Sequence, residues 1–375
     1  MSRTMFVPRL MDDDNLNAQN KNAQLILRHW PESDLRITTL ACGAPDKLVA
    51  ARKDIEIVRL WRRHGWMLHQ FMRYLRPYDL VFYPGVHAAD VAGLQWRRRL
   101  GFSAPVISTL EGLVGNESRE KEYSEWAGHP VFCQHVSPEE LRRADRLLEM
   151  ADHVIAISPF LAAMGKRRYG DKFSVLPLGL DISRFYPPQA KQGGRPKVVS
   201  AGRVESHKRP EVFLNLAARY PEADFAWYGE GSLRGSLNEE ATARGLSNIV
   251  FPGSKSPSQL ADAFREADIF VFPSLSEGVP KVTQEAAACG LPVLLFGFYE
   301  APSVIDGENG FVVWSDEELV ERLAELLGDS KRPKSMGQLG ARLARNWDWN
   351  VLARKWASAI ETMIPSLITS ANSTR

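Results

Sequence analysis

The chain has 375 residues, a formal net charge of +2, 44% hydrophobic residues and 25% charged residues. This length favours two globular domains of roughly 150–200 residues each, the composition excludes a disordered or fibrous chain, and the small net charge excludes a molecule built as a whole around nucleic acid. The three cysteines, at positions 42, 133 and 289, are too far apart for a disulfide framework or a zinc site, so we expect a reducing, cytoplasmic compartment.

The first half of the chain alternates short apolar runs with longer amphipathic ones, after an N-terminus without a signal-peptide pattern. No apolar run approaches the roughly 20 residues that a membrane span needs. Near-continuous apolar runs separated by helical patterns are typical of buried parallel strands in βαβ units. The predicted strands are residues 4–8, 35–40, 79–83, 104–109 and 153–157, and a helix is predicted over 158–170.

A basic segment rich in aromatic residues, 59–79, lies within this half. Residues 51–100 carry ten Lys or Arg against four Asp or Glu, a local balance of +6. Such a helix can lie on an anionic membrane surface or face a lipid-linked acceptor. Trp66, Phe71 and Leu75 are also spaced as the core-facing stripe of an ordinary packed helix. Both interpretations stay open, and the packed helix is slightly favoured.

A break in the pattern at 186–197, with three prolines and two glycines, predicts a linker between domains. The alternation then restarts. Strands are predicted at 197–201, 224–228, 248–251, 268–272 and 292–296, and helices at 209–220, 232–245, 257–267 and 280–289. Ser256 and Gln259 predict a capping box at the third helix. The chain is therefore predicted to form two doubly wound, Rossmann-like α/β domains, with ligands bound beyond the carboxyl ends of the strands in the cleft between them.

The stretch 274–293 combines two glutamates, Glu277 and Glu285, with a helix expected to open at Pro280 and stop at Gly290. A helix that starts at a strand's carboxyl end directs free N–H groups at an anion. Carboxylates bind sugar hydroxyls, so the pair favours a sugar and a ribose on either side of a diphosphate. Alternatively, Glu285 forms an i,i+4 pair with Lys281 on a solvated helix face.

Two other loops follow predicted strands of the second half. Residues 202–210 hold Arg203 and Lys208, which suit the charge that develops on a diphosphate leaving group, although an ordinary basic loop is an equal alternative. Residues 228–233 contain a G-x-G that permits close backbone approach. It is weak evidence, because position 234 is Arg rather than the third glycine of a dinucleotide site.

These motifs, with 251–253 and 308–313, occur in an order that resembles the retaining glycosyltransferases of family four, which have the GT-B fold. The resemblance covers the second predicted domain, with weaker matches in the first. It implies domains at 1–188 and 196–349, with a last helix near 350–366 that crosses back to the first. It also implies metal-independent transfer from a UDP- or GDP-linked sugar, with retention of anomeric configuration by front-face displacement and the leaving phosphate helping to deprotonate the acceptor.

The resemblance also implies residue roles. Arg203 and Lys208 would hold the donor diphosphate, and Glu277 with the backbone of Gly278, Val279, Pro280 and Lys281 would hold the transferred sugar. Val282 and Thr283 would contact the phosphates, Glu285 the ribose, and Gly253 with Ser254 the base. Gly202 and Gly229 complete the implied donor site.

Two departures from the family pattern concern the first domain. A Gly-Gly loop is common after the first strand, yet residues 9–23 contain no glycine. Asn15, Asn17, Gln19 and Asn20 either bind an acceptor there or form a turn, and the turn is favoured. Where the family often has a histidine, this chain has Glu111. Glu111 could orient a sugar hydroxyl or take the acceptor's proton. Alternatively, it is only a loop residue.

We therefore expect a hexosyltransferase that uses a saccharide or lipid-linked acceptor in the biosynthesis of a surface glycan or polysaccharide. Its partners would include the inner face of the cell membrane, through 59–79, and would not include nucleic acid. The alternatives are a non-catalytic nucleotide-sugar binder, favoured by Glu111 in place of histidine, and a sugar-nucleotide epimerase of similar shape.

Overall fold

The computed structural model describes residues 3–12, 18–60, 65–189, 194–329 and 331–364. The chain divides into two compact units. Unit 1 comprises Met1–Gly115, His135–Leu178 and Trp349–Arg375, and unit 2 comprises Asn116–Gln134 and Gly179–Asp348. Residues 116–134 thus cluster with unit 2, although they fall inside the first predicted domain in sequence. Residues 190–193 of the predicted linker lie outside the described residues.

Unit 1 is built on a parallel sheet with strand order β3-β2-β1-β4-β5-β8-β9. The strands are β1 (Thr4–Leu10), β2 (Arg36–Ala41), β3 (Ile55–Arg59), β4 (Leu80–Phe82), β5 (Val106–Leu110), β8 (His153–Ala156) and β9 (Phe173–Val175). A separate two-stranded sheet pairs β6 (Val114–Gly115) with β7 (Gln134–His135). The five predicted strands are confirmed. Strands β3 and β9, at the sheet edges, were missed because their half-exposed residues break the apolar runs.

The helices up to residue 169 are α1 (Ala18–Arg28), α2 (Lys47–Ala50), α3 (Trp66–Tyr74), α4 (Ala88–Arg99), α5 (Glu117–Ala127), α6 (Pro138–Met150) and α7 (Pro159–Tyr169). All but α5 belong to unit 1. The predicted helix 158–170 is confirmed as α7: Ser158 caps its first turn and Pro159 opens it.

Unit 2 has a parallel sheet with strand order β12-β11-β10-β13-β14-β15. The strands are β10 (Lys197–Ala201), β11 (Asp224–Tyr228), β12 (Ile249–Gly253), β13 (Ile269–Phe272), β14 (Val293–Phe296) and β15 (Gly310–Val313). Its further helices are α8 (Pro210–Arg219), α9 (Arg234–Ala243), α10 (Pro257–Glu266), α11 (Lys281–Ala288), α12 (Asp316–Gly328) and α13 (Arg332–Ala344). The predicted capping box of Ser256 and Gln259 is present at α10.

The last helix, α14 (Trp349–Thr362), belongs to unit 1. Its Trp356 is fully buried, and the indole Nε1 donates to the carbonyl oxygen of Pro177 at 2.9 Å. A buried indole N–H needs such a partner, so this bond anchors the helix within the unit.

The sheet of unit 2, counted from β10, has the order 3-2-1-4-5-6 of the dinucleotide-binding α/β fold. Unit 1 repeats that order up to its fifth strand. In such sheets a crevice opens beyond the carboxyl ends where the order reverses, because the helices on either side of that point lie on opposite faces. The reversal lies between β1 and β4 in unit 1, and between β10 and β13 in unit 2.

Candidate functional site

An ion pair joins the loops that flank the reversal point of unit 2. Lys208 ends a single 3-10 turn after β10, and its Nζ contacts Oε1 of Glu277 in the loop after β13. Both side chains are 13% exposed, so water screens the pair only partly. Both residues were predicted site residues, and the fold brings them into contact although they are 69 positions apart in the chain.

Ser274 also binds Glu277, although it was not predicted as a site residue. Its Oγ donates to the same Glu277 oxygen at 2.6 Å, and the residue is fully buried. Two donors on one carboxylate oxygen fix the orientation of Glu277. A serine two positions after a strand was the available pattern, but serine is so common in loops that this position alone is uninformative.

Main-chain contacts hold the same two loops together. The carbonyl oxygen of His207 accepts from the N–H of Leu275 at 3.1 Å. The His207 ring is half-buried. That burial, reinforced by the charges of Lys208 and Arg203, lowers its pKa. The loops after β10 and β13 are therefore joined by a main-chain hydrogen bond as well as by the Lys208–Glu277 pair.

The remaining cations of this segment have different surroundings. Arg203 is exposed, and its guanidinium has no hydrogen bond or ion pair to the described part of the chain. Arg209 adopts a left-handed conformation (φ 53°) and binds both carboxylate oxygens of Asp316, at 2.8 and 2.5 Å. Arg209 therefore ties the start of α8 to that of α12, while Arg203 has its donors available for an anion.

Four glycines stand where the loops after β10, β11 and β12 meet. A Cβ on Gly229 would lie 1.9 Å from the carbonyl oxygen of Gly202, and one on Gly231 would lie 2.2 Å from that of Val204. The N–H of Gly229 donates to the carbonyl of Gly253 at 3.0 Å. The glycines of the G-x-G thus permit one loop to approach the next, and the predicted donor-site roles of Gly202, Gly229 and Gly253 stay predictions.

The third strand-end loop of this edge carries Ser254. That residue is exposed, and its N–H donates to Glu230 Oε1 at 3.3 Å. Lys255 follows, with Nζ 5.3 Å from the ring centre of Tyr228. The residues predicted to frame the base thus lie beside the loop after β11, at the carboxyl edge of the sheet.

Helix α11 begins one residue later than predicted. Pro280 is the N-cap residue (φ −72°, ψ 101°), not the first helical residue. The helix ends before Gly290, whose φ is +80°. Gly278 and Val279 lie half-buried in the preceding loop, and α11 carries Lys281, Val282 and Glu285, all half-buried. Their donor-binding roles stay predictions, as does the alternative pairing of Glu285 with Lys281.

Thr283 is fully buried in the first turn of α11. Its Oγ1 donates to the carbonyl oxygen of Pro280 at 2.7 Å and lies 2.7 Å from Oγ of Ser303. These contacts tie the helix start to the loop after β14. Its predicted phosphate contact therefore competes with an existing internal role, and stays a prediction.

Tyr299, in the loop after β14, is a further candidate residue that was not predicted from the sequence. It is 6% exposed, and its phenol oxygen is buried without a hydrogen-bond partner among the described residues. Burial, together with the nearby charge of Glu277, raises its pKa well above the usual range. A buried phenol normally has a partner, so this hydroxyl is suited to a ligand.

In unit 1, Glu111 immediately follows β5, and Asn22 of α1 donates Nδ2 to Glu111 Oε2 at 2.7 Å. The favoured turn at Gln19 and Asn20 is wrong, because both residues lie in α1. Asn15 and Asn17 lie outside the described residues. Asn22, one helical turn after Gln19, was missed because the helix start was misplaced.

A buried cluster surrounds the reversal point of unit 1. Arg9 is 6% exposed and donates Nε to the carbonyl oxygen of Tyr83 at 3.0 Å, beneath a left-handed Tyr83 (φ 64°). Asp90, in the first turn of α4, accepts from the hydroxyl of Tyr74 at 2.6 Å. Burial lowers the pKa of Arg9, and the charges of Asp90 and Glu111 oppose that shift. Glu111 is therefore close enough to the buried Arg9 guanidinium for the two charges to interact.

The basic aromatic segment forms α3 from Trp66 onward; residues 61–64 lie outside the described part of the chain. Its buried residues are His69, Gln70 and Tyr74, and Trp66 packs partly against the core. Of the predicted core-facing stripe, Trp66 packs partly against the core, whereas Phe71 and Leu75 are only half-buried. Met67, Leu68 and Met72 are exposed, as are Trp96 of neighbouring α4 and Leu100 at its C-terminal end. Among the described residues, no helix has the length and apolar character to cross a membrane.

Comparisons with known proteins give matches over most of the chain. The family described as "Glycosyl transferases group 1" matches residues 181–342, and "Glycosyltransferase Family 4" matches residues 23–184. D-inositol 3-phosphate glycosyltransferase of Paenarthrobacter aurescens is 29% identical over 81% of this chain and 75% of its own length. Sucrose-phosphate synthase of Thermosynechococcus elongatus has a TM-score of 0.76 at 17% identity, covering 96% of this chain and 99% of its own. Anabaena HepE in complex with UDP has a TM-score of 0.74 at 17% identity, covering 96% and 100%. The structural matches show the GT-B fold.

Proposed function

The chain belongs to glycosyltransferase family four, and we propose that it moves a hexose from a UDP- or GDP-linked donor to a hydroxyl of a saccharide or lipid-linked acceptor. The observation that carries this proposal is the Lys208–Glu277 pair at the reversal point of unit 2. A cation and a carboxylate at one strand edge suit the two halves of a nucleotide-sugar. The related proteins support it: HepE was solved with UDP, and the Paenarthrobacter relative is named for transfer to inositol 3-phosphate.

Lys208 and Arg203 are the residues we assign to the donor diphosphate. Charge grows on the leaving phosphate as the bond to the sugar breaks, and preformed cations stabilise that charge. Two cations at one loop supply the positive charge that a metal ion would otherwise supply, so we propose donor binding without a metal. Glu277, oriented by Ser274, would accept hydrogen bonds from the sugar hydroxyls.

We propose that transfer retains the anomeric configuration. The bond between the anomeric carbon and the diphosphate oxygen breaks, and a bond to the acceptor oxygen forms on the same face. The acceptor's proton passes to the departing phosphate oxygen. Glu111, held by Asn22, is assigned to the acceptor: its carboxylate would orient the attacking hydroxyl.

The exposed apolar residues of α3 and α4 support a contact with a lipid surface. Leu68 is 56% exposed and Leu100 is 57% exposed, and Arg98 and Arg99 lie exposed beside Trp96. Apolar side chains among arginines suit an anionic membrane interface. We propose that the enzyme binds the inner face of the cell membrane there and acts in the biosynthesis of a surface glycan or polysaccharide.

Product analysis tests the transferase proposal. The protein is incubated with UDP-glucose, UDP-galactose, UDP-N-acetylglucosamine and GDP-mannose, each with and without a lipid-linked saccharide extract. We expect release of free nucleoside diphosphate from one donor, and a glycosylated product that an α-glycosidase cleaves. Interconversion of two nucleotide-sugars would favour the epimerase, and tight binding without turnover would favour the non-catalytic binder.

Vesicle co-sedimentation tests the membrane proposal separately. We expect binding to phosphatidylglycerol vesicles, weaker binding to phosphatidylcholine, and loss of binding in Leu68→Asp. Val250→Asp is the matched control, because Val250 is a 54% exposed aliphatic residue of unit 2. Equal binding of wild type and Leu68→Asp would overturn the assignment of this surface.

A further inference from the structure

Residues 116–134 form an excursion that leaves unit 1 after β6 and packs within unit 2; we call it the arm. It begins five positions after Glu111, so it follows directly on the predicted acceptor-side loop in sequence. Asn116 caps α5 by accepting from the N–H of Arg119 at 3.0 Å, and Gly128 ends that helix at φ +76°. The chain then returns along α5 to β7.

Internal hydrogen bonds make the arm a braced element. The N–H of Val131 donates to Ser124 Oγ at 2.9 Å, and the N–H of Cys133 donates to Glu120 Oε1 at 2.7 Å. The returning segment is therefore bound to α5 on both sides of Phe132. Because its neighbours are held in this way, Phe132 presents its ring and carbonyl group in a defined position.

Phe132 contacts two of the strand-end loops of unit 2. Its carbonyl oxygen accepts from Oγ of Ser276 at 2.9 Å, and its ring packs edge-to-face on Phe298, with centroids 5.4 Å apart. His129 packs against Trp314 at 5.5 Å, and Trp314 packs against Phe298 at 5.8 Å. The arm is thus tied to the loops after β13, β14 and β15 through one hydrogen bond and a row of rings.

The two residues that Phe132 contacts adjoin Glu277, which is assigned to the donor sugar, and Tyr299, whose buried hydroxyl is suited to a ligand. Ser276 precedes Glu277, and Phe298 precedes Tyr299. Arg203 and Lys208, the cations assigned to the diphosphate, belong to the loop after β10, which is linked to Phe132 through Ser276, Glu277 and the Lys208–Glu277 pair. The direct contacts of Phe132 with Ser276 and Phe298 therefore concern the sugar half of the donor site.

We propose, on the basis of the transferase function above, that the arm is a positioning element for the transferred sugar, acting through Phe132 on the loops that carry Glu277 and Tyr299. Phe132 and Ser276 are positioning residues and need not touch the donor. The arm orders the sugar-binding loops without being required for the nucleotide. Its effect is therefore selective: the arm raises the affinity for the sugar-nucleotide and leaves the affinity for the bare nucleoside diphosphate unchanged.

Calorimetric titration of the full chain with UDP, GDP, UDP-glucose, UDP-N-acetylglucosamine and GDP-mannose tests this selectivity. For Phe132→Ala we expect the affinity for the nucleoside diphosphate to stay within about twofold of wild type. The affinity for the sugar-nucleotide and its turnover should fall about tenfold, the scale of a lost aromatic contact. Ser276→Ala should change the same quantities by about threefold, the scale of one neutral hydrogen bond. Lys121→Ala, exposed on α5, is the matched control and should match wild type.

A thiol readout separates a moved loop from an unfolded arm. Burial and Glu120 raise the pKa of the Cys133 thiol to about 12, so iodoacetamide should leave Cys133 unmodified at pH 8. If Phe132→Ala exposes Cys133, the comparison rests on Phe132→Leu and Ser276→Ala, which keep more of the packing. Equal losses for nucleotide and sugar-nucleotide, or no loss in any variant, would overturn the positioning role. If wild type binds none of the five probes, the transferase proposal fails, and this inference fails with it.

Discussion

Lys208 Nζ and Oε1 of Glu277 meet across the reversal point of the unit 2 sheet, and Ser274 donates to the same carboxylate oxygen. The pair is largely shielded from water, so each charge partly neutralises the other. A bound diphosphate would compete with Glu277 for Lys208, and a bound sugar would compete with Lys208 for Glu277. The pair therefore keeps two charged groups ordered at the point where the donor is predicted to bind.

Lys208→Ala should lower kcat about a hundredfold, because a preformed cation at the leaving group is lost and Glu277 is left half-buried without its counter-charge. Release of nucleoside diphosphate at saturating donor measures this. Lys197→Ala is the control: Lys197 begins β10 at the opposite edge of the sheet, where its Nζ lies 3.6 Å from Glu266. Equal loss in both variants would argue against a catalytic role for Lys208.

Tyr299→Phe should weaken donor-sugar binding without weakening the fold. The phenol oxygen has no hydrogen-bond partner among the described residues, so its removal should raise the free energy of unfolding by up to ~1 kcal/mol. The KM for the sugar-nucleotide should rise about fivefold. Tyr220→Phe should lower the free energy of unfolding and leave the KM for the sugar-nucleotide unchanged. The reason is that the Tyr220 hydroxyl donates to the carbonyl oxygen of Val320 at 2.8 Å. Denaturant titration and donor kinetics on both variants give the comparison.

Asn22→Ala should affect the acceptor and not the donor. Without the 2.7 Å bond from Asn22, the Glu111 carboxylate loses its fixed orientation, and transfer should fall about tenfold. Donor hydrolysis in the absence of acceptor should be unchanged. Lys21→Ala, exposed on the same helix, should leave both rates at the wild-type level. A parallel fall in hydrolysis would indicate damage to the fold instead.

Gly229→Ala should destabilise the protein by roughly 2–4 kcal/mol, because the added Cβ would meet the Gly202 carbonyl oxygen at 1.9 Å. Gly235→Ala makes the same substitution in α9, where no atom lies within 4 Å of the added Cβ. It should stabilise by about 0.5–1 kcal/mol through helix propensity. Chemical denaturation of both variants tests the pair, and a mild effect at Gly229 would show that the loops can separate.

Stability should fall on acidification through the range below pH 6.5. The pKa values of His69, His153 and His207 are all lowered, chiefly by burial, from the ordinary 6.5. The unfolded chain therefore binds protons at a higher pH than the folded chain, so the contribution is present above pH 6.5 and is lost as pH falls toward the folded values. His207→Gln should make the midpoint of thermal unfolding depend less steeply on pH between pH 7 and 5. An unchanged pH dependence would show that His207 does not contribute to the loss of stability at low pH.

The local elements of this protein follow from short-range patterns. Apolar runs identified ten of the strands, and Ser256 with Gln259 identified a capping box, because burial and capping depend on neighbours within a few residues. Glu277 and Lys208 could be named for the same reason, since each is a charged residue just beyond a predicted strand. The errors also have local causes: the edge strand β3 lacks a continuous apolar run, and the start of α1 was read as a turn.

The sequence by itself determined that two α/β units carry charged loops at their strand ends. Only the tertiary structure decided which loops meet. Lys208 and Glu277 are 69 positions apart, and Asn22 and Glu111 are 89 apart, and their contacts depend on strand order. Strand order results from the packing of whole elements, so no window of the sequence contains it. The same holds for the arm, whose place in unit 2 depends on rings at 132, 298 and 314 that are far apart in the chain.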